Sequence, residues 1–102
     1  MEKLLEICID SLESADNAVS GGAGRLEACA ALSEGGLTPS PGLVHLIKLK
    51  YPELPVYAML RARSGDFHYS REEIEIMTYD LEMLRTAGAD GFVFGALTSD
   101  FQ

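Results

Sequence analysis

Short apolar runs alternate with helix-forming stretches along almost the whole of this chain, and that alternation limits its fold more than any other feature. Leu4 to Ile9 is rich in branched apolar residues and reads as a strand. Asp10, with Glu13 three places on, marks the start of a helix that continues to about Ser20, where Gly21 and Gly22 stop it. Arg25 to Ala30 is a second strand, "GGLTPSPG" a turn-rich loop, and Leu43 to Lys50 a second helix with Ser40 as its cap and Pro41 in its first turn. Tyr51-Pro52 ends that helix, and Val56 to Leu60 is a third strand. Ser70 to Glu73 then forms an S-x-x-E capping box before a long helix in which Ile74, Met77, Leu81 and Leu84 follow helical spacing. Gly88 closes it and "GFVFG" is a fourth strand.

Strand-helix units of this kind need parallel strands joined by crossovers, because hairpins leave no room for a helix between strands. The chain also echoes itself: "GGAGRLEAC" from Gly21 and "AGADGFVFG" from Ala87 share a helix end, a Gly-Ala pair and a following strand. The expected fold is α/β, a TIM-like (β/α) barrel represented by a partial barrel of about four parallel strands and three helices. An open doubly wound sheet is the alternative, but no strand is followed by the G-x-G-x-x-G of a dinucleotide crevice. With 102 residues, 47% of them hydrophobic, residues 1–102 make one small domain.

Two strands carry nearly the same word, "LEIC" at Leu5 to Cys8 and "LEAC" at Leu26 to Cys29. A period of two sends each leucine to one side and each glutamate and cysteine to the other. Leu5, Ile7 and Ile9 join Leu26, Ala28 and Ala30, Val56, Ala58 and Leu60, and Phe92 and Phe94 on an apolar face suited to packing under helices. The opposite face carries Glu6, Cys8 and Asp10, then Arg25, Glu27 and Cys29, then Tyr57, Met59 and Arg61. A barrel filled only for stability would have Val, Ile and Leu there. Barrel sites lie at the C-terminal strand ends, where Cys8, Asp10, Cys29, Arg61 and Arg63 fall. A stagger of one residue between neighbouring strands would bring the Cα atoms of Cys8 and Cys29 to about 6 Å, close enough to share one ion.

Glu6, Glu27 and Arg61 read either as a buried ion-pair network or as acid-base chemistry with Arg61 holding an anion. Asp66, in "SGDF" after the third strand, is a further candidate catalytic residue or a turn former. "EGGLTPS", Glu34 to Ser40, could offer backbone donors to a phosphate, although a single Gly-Gly favours an ordinary loop. Met59 could add a thioether to a metal site, against a role as core filler. His45 and His68 read as structural or solvated residues.

The balance of 8 basic and 16 acidic residues, a formal charge of −8, argues against nucleic acid or an anionic membrane as partner. No apolar run approaches the roughly 20 residues that span a bilayer. "LLEICI" is interrupted by Glu6 and lacks the basic start and cleavage site of a secretory signal. Two cysteines do not make a disulfide framework, so free thiols in a reducing cytosol are expected.

"EICIDSLESA", "GGAGRLEACAALSEGGLTPSPG", "MLRARSGDFHYS" and "AGADGFVFGALT", in this order, closely resemble the N-terminal half of the CutC family of copper homeostasis proteins. The resemblance implies a TIM-like barrel, a cytoplasmic location, homo-oligomers and a role in handling Cu(I). Cys8 and Cys29 match the cysteines proposed as metal ligands in animal members. Gly24, Ala28 and Ala62 depart from the aspartate, leucine and proline usual in the family, and none of these changes removes a candidate ligand. Members run to more than twice this length, so the chain reads as half a barrel with two unpaired strand edges. It is expected to dimerise, to aggregate, or to be part of a longer product. Copper binding without catalysis is the expected function; a barrel enzyme acting on a small anionic metabolite through Glu27 and Arg61, or an inactive half-barrel, are the alternatives.

Overall fold

The computed structural model describes residues 5–63 and 68–94. Strands and helices alternate strictly: β1 (Glu6–Ile9), α1 (Leu12–Ser20), β2 (Arg25–Ala28), α2 (Pro41–Lys50), β3 (Val56–Leu60), α3 (Arg71–Ala87) and β4 (Gly91–Phe94), with a 3-10 turn at Leu32–Glu34. All neighbouring strands are parallel and the sheet runs β1-β2-β3-β4. Among the described residues this order never reverses, so the sheet has the progression of a (β/α) barrel and shows no switch point of a doubly wound fold. Crossovers of one hand then bring the helices over the same face.

On that face Ile9, Leu26, Val56 and Leu60 are 0–1% exposed and meet Ala15, Val44, Ile47, Met77 and Leu84 from the helices. Removing each large side chain from water stabilises the fold by about 1.5–3 kcal/mol. Leu5 and Phe94, expected under the helices, and Ile74, expected on the apolar stripe of α3, are open instead, at 47%, 61% and 54% exposed. Leu5 stands just ahead of β1, an edge strand among the described residues. Ile74 and Phe94 line an apolar groove of about 290 Å³ between α3 and β4, where no described helix follows β4 to cover it.

Local chemistry sets the element ends. Ser11, not Asp10, caps α1: its Oγ accepts the Ser14 N–H at 3.0 Å while Ser14 Oγ accepts the Ser11 N–H at 3.1 Å. The Asp10 N–H also donates to Ser14 Oγ, at 3.1 Å, so Asp10 still belongs to the strand exit. Ser40 caps α2 as expected, but the helix begins at Pro41, whose missing N–H costs nothing in a first turn. Ser70 and Glu73 form the reciprocal box of α3, and Gly88 ends it in the left-handed region at φ 116°. β2 stops two residues before the expected Ala30, because Ala30 pairs antiparallel with Leu37.

Asp90 ties the entry of β4 to β3. Its N–H donates to Val56 O at 2.8 Å, and its carboxylate accepts the Val56 N–H at 2.9 Å and the Lys48 ammonium at 2.8 Å. Lys48 also donates to Leu54 O at 2.8 Å, joining the end of α2 to the turn before β3. Burial alone would raise the Asp90 pKa, but Lys48 and the Val56 N–H outweigh it and hold the carboxyl below its ordinary value.

Asp90→Ala should cost about 1–3 kcal/mol in urea unfolding, since it strips partners from an amide and an ammonium at once. Because the folded carboxyl titrates below its usual 3.8, the stabilisation is complete above that pH and is lost as the pH falls through the lower folded value. The stability gap between wild type and Asp90→Ala should therefore shrink on acidification below about pH 4, measured by urea titration at stepped pH.

Candidate metal site

The side of the sheet away from the helices is built in tiers. At the bottom, Arg25 Nε donates to Glu6 at 3.1 Å, and the same guanidinium lies 4.5 Å from the centre of the Tyr57 ring. That ring in turn covers Gly91, where a Cβ would stand 2.8 Å from it. A charge pair, a cation-π contact and a bare backbone thus span all four strands.

Above this tier, Cys8 pairs in register with Glu27, and the two side chains interact electrostatically. Cys29 lies two residues further along, so strand spacing and rise separate the Cα atoms of Cys8 and Cys29 by about 8 Å, not the ~6 Å of a one-residue stagger. The two thiols still feel each other electrostatically. Cys8 is exposed on β1, whereas Cys29 is fully buried and its thiol faces Ile9 O at 3.5 Å. Register places Cys29 beside Met59, because Ala28 pairs with Ala58.

A loop closes over this point. After β2 the chain passes Ala31 at φ 50°, makes the 3-10 turn, and returns through Gly35 and Gly36 at φ 88° and 96°. A Cβ on Gly36 would lie 2.9 Å from Met59 Sδ and 3.6 Å from Cys29 Sγ, so a side chain there would push the end of Met59 aside, and the left-handed φ itself favours glycine. The Gly35, Gly36 and Leu37 amides donate to Leu32, Ala31 and Ala30 carbonyls, and the Thr38 amide to Arg61 O. These four donors are spent inside the protein and are not free for the phosphate considered for Glu34 to Ser40.

Arg61, 9% exposed, sits just past β3 and donates from Nη1 to Gly36 O at 3.2 Å. Thr38 Oγ1 accepts the Arg61 N–H at 2.8 Å, fixing the loop to the strand end. Beside it Arg61, Thr38 and Ser40 line a cleft of about 430 Å³ that also includes Asp80. Arg61 is four residues beyond Tyr57, the partner of Glu27, or roughly 13 Å along the strand. The cation that reaches Glu6 is Arg25, which the sequence placed on this face without a role; its cross-strand position opposite Glu6 was the available signal. Arg63 turns to Glu73 and packs over Tyr69, joining the start of α3. Asp66 lies outside the described residues. His45 and His68 are exposed.

Burial pushes the Cys29 thiol up to about 11, helped by negative charge on Cys8, Asp10 and Glu27. Cys8 is raised by the same means, burial first, then Glu27 and Glu6. Glu27 is itself raised by burial and by Glu6, against the lowering effect of Cys8 and Arg25. Both thiols are therefore protonated at neutral pH, in a pocket whose charge favours a cation. The soft sulfurs suit a soft metal. Among the described residues no three His, Cys, Asp or Glu side chains are grouped as a metal cage.

A family model described as the CutC family matches residues 3–102. A "Copper homeostasis protein cutC homolog" of Caenorhabditis elegans is 61% identical over 95 residues, covering 93% of this chain and 38% of that protein. Its Homo sapiens counterpart is 54% identical over 97 residues, covering 95% and 35%. The crystal structure of CutC from Streptococcus agalactiae superimposes with a TM-score of 0.85 at 32% identity, over 96% of this chain and 48% of that one. This chain thus spans well under half the length of the curated relatives it matches.

Iodoacetamide at pH 8 should alkylate Cys8 and leave Cys29 unmodified in the folded protein, with both labelled in urea, as read by peptide mass spectrometry. The raised thiol adds stability that is complete below its ordinary value of 9.0 and is lost as the pH rises through about 11. Cys29→Ser should flatten that alkaline loss in unfolding titrations.

Proposed function

This chain belongs to the CutC family, and from that premise we propose that it serves copper homeostasis by binding Cu(I) through the thiolates of Cys8 and Cys29. The observation that carries this reading is the pair of thiols on the inner side of adjacent strands, electrostatically coupled and surrounded by carboxylates. Cu(I) replaces the two thiol protons with one soft cation, and the same negative surroundings that keep the thiols protonated favour it. Glu27, in register with Cys8 and with its pKa raised by burial, is a candidate acceptor for the departing proton. No chemical step on a substrate is required.

The residues 1–102 act as the N-terminal half of an eight-stranded barrel in the cytoplasm. Among the described residues β1 and β4 are the outer strands of the sheet, and the exposed Cys8 lies on one of them. Further strands, from a second copy of the chain or from more of the same product, would complete the walls around it. No described helix is long and apolar enough to cross a membrane.

Cu(I) titration against a chromophoric chelator should give one ion per wild-type chain and none for Cys8→Ser/Cys29→Ser; equal stoichiometry in the two would end the thiolate reading. Affinity should rise steadily with pH from 6 to 9, because protons compete for both sulfurs. Light scattering should give a mass above that of one 11.0 kDa chain.

A further inference from the structure

Met59 differs from every other apolar residue of β3. Val56, Ala58 and Leu60 enter the core beneath the helices, whereas Met59 points to the opposite side and takes no part in that cluster. Its neighbours there are the buried Cys29 thiol in lateral register and the bare Cα of Gly36 above. One point in space, the missing Cβ of Gly36, is within 4 Å of both sulfurs. At φ 96° Gly36 brings bare backbone over these sulfurs, so the loop covers them without a side chain.

We propose that Met59 Sδ is a third ligand in the copper site, so that Cu(I) is held by one sulfur from each of three successive strands, Cys8 of β1, Cys29 at the end of β2 and Met59 of β3. The inference rests on the thiolate reading above and adds to it. A thioether carries no proton, so it binds a soft cation without the deprotonation that both thiols require. It is also uncharged, so a site of two thiolates and one thioether holds Cu(I) with a net charge of −1, less than a third thiolate would give. Gly36 is the positioning element: its lack of a side chain leaves the space between Sγ and Sδ open, and its carbonyl is pinned by Arg61.

Met59→Leu keeps the volume and the apolar character of the side chain and removes only the sulfur. Chelator competition should show Cu(I) held with unchanged stoichiometry but at least about tenfold more weakly, the scale on which metal sites lose a supporting group. Copper-edge X-ray absorption should count three sulfur neighbours in the wild type and two in the variant. Equal affinity and an equal sulfur count in Met59→Leu would overturn the third ligand and leave the thiolate reading standing. A wild type that binds no Cu(I) would instead remove the thiolate reading and this inference with it. Selenomethionine protein supplies a second measurement: the selenium edge should show a copper neighbour that disappears in Met59→Leu, where Met1, Met77 and Met83 still carry selenium, and its absence in the wild type or its persistence in the variant would overturn the proposal.

Discussion

Parallel strands of only four or five residues have few side chains to divide between two sides, and here the division is sharp. Every second residue of β1, β2 and β3 must be apolar to hold the helices, and the residues between are released from that duty. A shift of one residue in any strand would bury Glu27 or Cys8 beneath α1 and α2 and turn Leu26 or Ile9 away from the core, at a cost of several kcal/mol for the misplaced charge alone. The register is therefore held by the hydrophobic face, and the chemistry on the other face inherits its positions from it.

What occupies that other face is a dense set of opposed charges and weak acids. Arg25 answers Glu6 and leans on Tyr57, leaving Glu27 and the two cysteines under net negative potential. Each of those three groups is disfavoured in its ionised form, for the same two reasons, loss of water and like charge nearby. Such a pocket stores protons at neutral pH and can exchange them for a cation, which is the electrostatic basis of the proposed copper role.

The loop from Ala30 to Thr38 gives the site a roof. Its turn is made of left-handed residues, its amides are consumed by its own carbonyls and by Arg61, and its glycine stands over two sulfurs. Arg61, which sequence alone offers as an anion clamp, contributes here as a brace between strand and loop. A guanidinium has five donors, and its residue type cannot tell whether they will meet a ligand or a carbonyl from its own chain.

The alternation of elements, the side taken by each strand residue and the caps at Ser40 and Ser70 were legible in the sequence, because each depends on a period or a spacing within a few neighbouring residues. Membership of the family was legible through several long blocks that follow one another in order along this chain. Ser11 in place of Asp10 as a cap was not, since several side chains compete for the same amides and geometry chooses among them. The return of the loop onto Ala30, the pairing of Cys8 with Glu27 and not more closely with Cys29, the partner found by Arg25 and the meeting of Gly36 with Met59 were decided only by the tertiary structure. They join residues far apart in the chain, and such contacts depend on strand stagger and loop path, which no local pattern of residue types encodes.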